Sequence, residues 1–266
     1  MLSEGKIIPL LSIITVCRND AARLKRTIDS LSHFYNDPRF EHVVVDGKST
    51  DGTDSLVEPL MCKANFKFYS GQDSGIYDAM NHGVSYSLAP LLLFLNCGDT
   101  IIATPSELSV FLGRLVACDG TVDLDIICFP VRQIGTKGAK NAVPTRLTNY
   151  KMPASHQGMV FARRFLQLNT YNNSYKIAGD FDLYLRATRI GISSDRFGMP
   201  FIAVEVDGVA SANPLKAYGE YLKIVCNRLH GRSRIIALLI IAIRAILIIS
   251  VKTLLSKRWL IVFRGV

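Results

Sequence analysis

Four short runs rich in branched and aromatic residues, "LSIITVC" (11–17), "HVVVD" (42–46), "FKFYS" (66–70) and "LLLFLN" (91–96), alternate with longer stretches of helical periodicity. This alternation constrains the fold most, because strands separated by helices form βαβ units around a mostly parallel sheet. "LLLFLN" is apolar up to its last residue, as expected of a strand covered on both faces. Asp20 is placed to cap a helix running to about Phe34, with Leu24, Ile28 and Leu31 on one face. Further helices are expected from Thr53 to Leu60, from about Ile76 to Leu88 and from Pro105 to Cys118. "LDIICFPV" (124–131) reads as one strand, and "GTKGAKNAVPTR" after it as a surface hairpin or mobile loop.

Open parallel sheets bind ligands outside the carboxyl ends of their strands, so the polar residues that follow each strand carry the functional signal. These are Arg18, Asn19 and Asp20 after the first strand, Asp46 after the second, Asp73 after the third, and "NCGDT" (96–100) after the fourth. A single aspartate there is an ordinary turn residue. Carboxylates after three successive strands point to one site. A later cluster, "AGDFDLYLRATRIG" (178–191), has helical spacing at Leu183, Arg186, Ala187 and Ile190, which puts Asp180 at a helix N-terminus. Asp182 is placed to pair with Arg186 at i+4.

The chain has 266 residues and 49% hydrophobic content, enough for one large α/β domain with an appendage. Its six cysteines show no C-x-x-C pair, which excludes a zinc or disulfide framework signal and favours reduced structural thiols. "IIPLLSIITVC" (7–17) lacks a basic flank and a small-residue cleavage site, so it reads as a first strand rather than an export signal. No G-x-G-x-x-G, no phosphate-loop fingerprint and no HExxH occurs.

Six segments in order, "LSIITVCRND", "VVVDGKSTDGT", "DSGIYDAMNHG", "LFLNCGDT", "ASHQGMVF" and "AGDFDLYLR", resemble the bacterial family 2 glycosyltransferases, in particular the colanic-acid type that builds surface polysaccharides. The similarity covers about residues 10 to 210. It implies a GT-A fold, a Rossmann-like α/β sheet that binds a nucleotide-sugar donor, usually UDP-linked. It also implies that Thr15 and Arg18 line the nucleotide pocket, that Asp46 and Asp73 hydrogen-bond base and ribose, and that Asp99 ligates Mn²⁺ or Mg²⁺, with Gly98 standing where the family has a further acid. His156 and Gln157 are placed beside the reacting sugar, as acceptor or diphosphate contacts. Asp180 matches the last acid of the family's base motif, with Gly179 in the place of its glutamate. No Q-x-x-R-W of processive enzymes is present, so one sugar is added per event. Two rival expectations are a metal-dependent nucleotidyltransferase and a membrane-attached nucleotide-binding protein without catalysis.

The formal charge of +9 is confined to the end of the chain: ten Lys and Arg and one acid, Glu220, lie from Lys216 onward, and the rest is balanced. The division expected is a GT-A domain over 1–213 and a basic, apolar helical tail over 214–266. "IIALLIIAIRAILIISV" (235–251) is 17 residues long with Arg244 near its centre. As a helix it would reach roughly 25 Å against a hydrocarbon core of about 30 Å. It is therefore expected to lie in the interface, with Arg234, Arg244 and Lys252 toward anionic headgroups; a transmembrane or re-entrant segment and packing against the domain or a second subunit are the alternatives. The expected partners are a nucleotide-sugar, a polyprenyl-diphosphate-linked glycan acceptor and membrane lipids, with a homo-oligomer left open and no nucleic acid. The expected location is the cytoplasmic face of the bacterial inner membrane, peripheral or monotopic.

Overall fold

The computed structural model describes residues 8–117, 124–135, 138–192, 200–205 and 213–263. In chain order the first half runs β1 (Leu11–Cys17), α1 (Ala21–Ser30), β2 (Phe40–Asp46), α2 (Thr53–Val57), β3 (Phe66–Ser70), α3 (Ile76–Tyr86), β4 (Leu91–Phe94), β5 (Thr100–Ile101) and α4 (Pro105–Ala117). The second half runs β6 (Ile126–Cys128), β7 (Val131–Gly135), β8 (Gly138–Ala142), β9 (Met159–Ala162), α5 (Arg163–Leu168), α6 (Gly179–Arg186), β10 (Ile190–Ile192) and β11 (Ile202–Glu205). Two helices, Pro214–Arg228 and Gly231–Phe263, follow.

Seven strands form one sheet in the order β10-β6-β9-β4-β1-β2-β3, and β5-β11-β7-β8 form a smaller one. β1 to β4 are parallel, and only β9 runs against its neighbours in the large sheet. Side chains of the central strands alternate between two cores. Leu11, Ile13, Val44, Leu91 and Leu93 pack on one face, and Ile14, Val43, Val45, Leu92 and Phe94 on the other. This two-sided burial explains why these strands read as unbroken apolar runs.

The run at 124–131 is not one strand. It breaks at Phe129–Pro130, where the chain leaves the large sheet as β6 and enters the small one as β7. Pro130 has no N–H to give a ladder, which ends the first strand there. The segment after it is a hairpin, β7 with β8. α1 stops at Ser30, short of Phe34, and its start is not capped by Asp20: Ala21 N–H donates instead to Asp51 Oδ2 at 2.7 Å. The sequence signal for a cap was right in place and wrong in acceptor, because the loop after β2 brings a second aspartate to the same helix end.

Candidate active site

The register fixes the rim. Cys17, Asp46 and Ser70 lie level at the carboxyl ends of β1, β2 and β3, and the turn after β4 joins them through Leu95 N–H to Ile14 O at 2.9 Å and Cys97 Sγ to Val16 O at 3.3 Å. Asp46 is buried and accepts from Ser49 N (2.9 Å), Ser49 Oγ and Ser70 Oγ (2.7 Å), so it fixes the loops of β2 and β3 to each other. Beside it, a Cβ on Gly47 would stand 2.6 Å from Asp73 Oδ2 and 3.2 Å from Arg18 Cδ, so these two side chains close over the glycine. Arg18 and Asp73 are thus brought together at this end of the cleft. Asp73 Oδ1 also accepts Gly75 N–H at 2.9 Å. Thr15 lies below the rim: it is fully buried, and its Oγ1 is 3.1 Å from Nε2 of His42, whose Nδ1 is 2.9 Å from Tyr35 Oη.

Asp99 follows in the turn after β4. Its Oδ1 accepts Glu205 N–H from β11 and its Oδ2 accepts Gln157 Nε2, both at 2.9 Å. Burial pushes its carboxyl up to about 6 despite these two donors. Gly98 has φ +93° and a Cβ there would lie 2.7 Å from Arg23 Nε and 3.0 Å from Glu205 Oε2. At the position expected to carry a further acid, a side chain would thus need a left-handed backbone and a shift of the Arg23–Glu205 pair. Glu205 fills that space from a distant strand, held by Arg23 and Arg26 at 2.7 Å each. No sequence signal marks Glu205, since its approach depends on how β11 is laid in the small sheet.

His156 does not reach the cleft. It is buried with Phe94 stacked at 5.1 Å between ring centroids, its Nε2 lies 2.5 Å from Tyr171 Oη, and burial lowers it to about 4. It is a neutral core histidine under the site, and an acceptor or diphosphate contact through its ring is not what this position provides. Tyr171 in turn stacks on Tyr77, with centroids 5.3 Å apart and planes at 15°. Tyr77 Oη donates to Ile177 O at 2.7 Å, and its ring lies 2.7 Å from where a Cβ on Gly179 would stand. The Gly179 substitution for the family's glutamate has a physical cause: an aromatic ring occupies the space.

Asp180 enters α6 at its second residue, with Oδ1 accepting Phe181 N–H at 2.8 Å. Burial, with a smaller push from Glu220, raises its carboxyl to about 6. Tyr77, Tyr171 and Tyr221 all stand close enough to feel its charge. Asp182 faces the other way. It is fully buried and bonded to Arg228 (2.7 Å) and Arg186 (3.2 Å), the i+4 pair expected from spacing plus a partner only the fold supplies. Lys176 closes the circuit of the rim: its Nζ donates to Ser74 O (3.1 Å) and Asn173 O (3.0 Å), tying the Asp73 loop to the segment that leads to Asp180.

Among the described residues no three carboxylate, imidazole or thiolate groups gather to hold an ion by themselves. The donor set fits a hard divalent cation in part. Asp99 accepts one hydrogen bond on each oxygen, and Asn96 Oδ1, three residues before it, is buried without a partner. Oxygen ligands of that kind suit Mg²⁺ or Mn²⁺ when substrate phosphates complete the shell.

The chain is similar to known proteins in sequence and in fold. An uncharacterized glycosyltransferase of Mycobacterium tuberculosis (strain ATCC 25618 / H37Rv) is 29% identical over 189 residues, 68% of this chain and 70% of the relative. A PGL/p-HBAD biosynthesis glycosyltransferase of Mycobacterium bovis (strain BCG / Pasteur 1173P2) is 30% identical over 183 residues, 67% and 69% of the two chains. Among solved structures, S. aureus TarS 1-349 in complex with UDP-GlcNAc superposes with a TM-score of 0.63 at 19% identity, covering 86% of this chain and 70% of that one. A mannosyltransferase from Pyrobaculum calidifontis in complex with GDP-Man and Mn²⁺ gives 0.58 at 14%, over 82% and 64%. At such identities the superpositions speak for the fold, which is GT-A-like. The family model for glycosyl transferase family 2 matches residues 12–171, from the first strand through the Asp99 turn to Tyr171, and the chain belongs to that family.

Proposed function

We propose that the chain is a single-addition, inverting glycosyltransferase that moves one sugar from a UDP-linked donor to a lipid-linked oligosaccharide in surface-polysaccharide assembly. The observation that carries this reading is Asp180: a carboxylate held among three tyrosines, with its basicity raised, in a segment that Lys176 ties to the loop where Asp73 meets Arg18. In this mechanism Arg18 and Asp73 receive the nucleotide, and Asp46 keeps their loops in place. Asp99, with Asn96 beside it, would hold Mn²⁺ or Mg²⁺, which supplies charge neutralisation on the diphosphate. Asp180 accepts the proton of the acceptor hydroxyl as that oxygen bonds to the anomeric carbon and the bond to the diphosphate oxygen breaks on the opposite face. The solved relatives with UDP-GlcNAc and with GDP-Man and Mn²⁺ support this choice of donor class. The test is a screen of nucleotide-sugars for donor hydrolysis with and without Mn²⁺. Metal-stimulated release of UDP is expected; release of pyrophosphate in a parallel assay with a nucleoside triphosphate and a sugar phosphate would instead move the protein to the nucleotidyltransferases.

Attachment to the cytoplasmic membrane face is part of the same reading, with the orientation of the tail reversed from the sequence expectation. The Arg244 guanidinium lies 5.3 Å from the Tyr150 ring centroid, so this cation turns toward the domain, while Arg234 Nε donates to Leu229 O at 2.6 Å within the tail itself. Ala237 and Ile241 are buried on that side. The outward face carries Ile235, Ile236, Leu239, Ile243, Ile246 and Leu247, each at least 54% exposed. At 100° per residue these fall in a sector of about 120°. The side chain of Lys252 lies outside the described residues. Among the described residues no helix is long and apolar enough to cross a membrane, and an apolar stripe with exposed Lys216, Lys223 and Arg232 near it suits shallow insertion beneath anionic headgroups. Truncation after residue 230 is expected to move the protein from anionic vesicles to the supernatant. An unchanged distribution in a sedimentation assay would put the stripe against protein instead.

A further inference from the structure

The helix Pro214–Arg228 carries one acid, Glu220, in a segment otherwise rich in cations. Glu220 does not face solvent. It is buried, and its two carboxylate oxygens accept three consecutive backbone N–H groups: Oε1 from Lys176 at 2.9 Å, and Oε2 from Ile177 at 2.9 Å and Ala178 at 2.8 Å. Those three residues are the turn that runs directly into α6, and Asp180 follows two positions later. Burial alone would raise the Glu220 carboxyl, yet the three donors bring it below the usual carboxylate range.

We propose that Glu220 is a positioning residue for the catalytic base: it holds the 176–178 turn by three charge-assisted bonds and thereby sets where Asp180 meets the acceptor hydroxyl. The appended helix is on this account part of the active site rather than a removable anchor. Two further contacts point the same way. Arg228, two turns on in the same helix, grips Asp182 inside α6. Tyr221, next to Glu220, forms one wall around Asp180, with its ring 4.6 Å from Phe181. One helix thus restrains the base segment before, at and after Asp180, while Tyr77 restrains it from α3 through Ile177 O and Gly179. The groups whose charge or polarity faces Asp180 are Tyr77, Tyr171, Tyr221 and Glu220, and only Glu220 is ionised at neutral pH.

The role assigned to Asp180 rests on the transferase reading; the role assigned to Glu220 toward the backbone does not, and the experiment separates the two. Glu220→Gln and Glu220→Ala are made in the full chain, and amide hydrogen exchange is followed alongside turnover. The expected result is at least 10-fold faster exchange at Lys176, Ile177 and Ala178 with the amides of β1, β2 and β4 unchanged. Turnover should fall by about 10²-fold, the scale of a misplacement near 1 Å, with donor affinity retained. For Glu220→Gln the acidic limb of kcat/KM should also move to lower pH, because the negative charge that helps raise Asp180 is gone. A loss caused by general destabilisation would not move that limb. Unchanged exchange at 176–178, or lost protection with normal turnover, would overturn the proposal. If Glu220→Ala fails to fold, Glu220→Gln preserves the volume and carries the comparison. A wild-type protein that transfers no sugar would sink the transferase reading while the exchange result still judged the contact.

Discussion

Asp180→Asn should lower turnover by about 10²- to 10⁴-fold, the usual contribution of a positioned general base, with UDP binding retained. In the wild type, kcat/KM should fall as pH drops below about 6, where Asp180 takes up its proton. The same substitution should make the protein more stable at neutral pH. The folded-state pKa of Asp180 lies above the ordinary value of 3.8, so the folded chain binds that proton more tightly than the unfolded one. Ionised Asp180 is therefore a stability cost that is absent below about pH 4, grows between about 4 and 6 and is complete above it. Asn avoids the cost and can still accept from Phe181 N–H. The gain should be at most about 3 kcal/mol at pH 7 and should vanish at pH 4. Thermal melts of both proteins at the two pH values measure it. Normal turnover in the variant would remove Asp180 from the chemistry.

Asp182→Ala should act on stability and not on the base. Asp182 has no exposed surface and neutralises Arg186, whose side chain is 16% exposed, and Arg228 at 36%. Removing one member of a buried charge network leaves guanidinium groups without their counter-ion, which costs about 3–5 kcal/mol. For a chain of this size that corresponds to a melting point lower by roughly 6–20 °C. The loss should be smaller for Asp182→Asn, which keeps the volume and one acceptor. If Asp182→Ala melts like wild type yet transfers no sugar, the two aspartates have been given each other's roles.

The order of elements was legible because hydrophobic period is a local property: β1, β2, β3, β4 and the helices between them stand within a few residues of where the spacing puts them. The rim was legible for a related reason. In a parallel sheet the strand ends share one edge, so Asp46 stands level with Cys17 and Ser70 there, while loops carry Arg18 and Asp73 to each other and Asp99 to Gln157 and Glu205. Where two elements compete, local signals fail. Asp20 had the form of a cap but Asp51 took the bond, and an apolar run across Phe129–Pro130 served two sheets.

Short-range pattern and ordered motifs were enough to read the sheet, the polar residues after its strands and the family. Packing settled which side of the last helix faces out, which side chains crowd Gly98 and Gly179, and that Glu205 and Glu220 arrive from the far end of the chain. Those outcomes turn on atoms remote in sequence occupying a common space, and no periodicity along the chain records such a meeting.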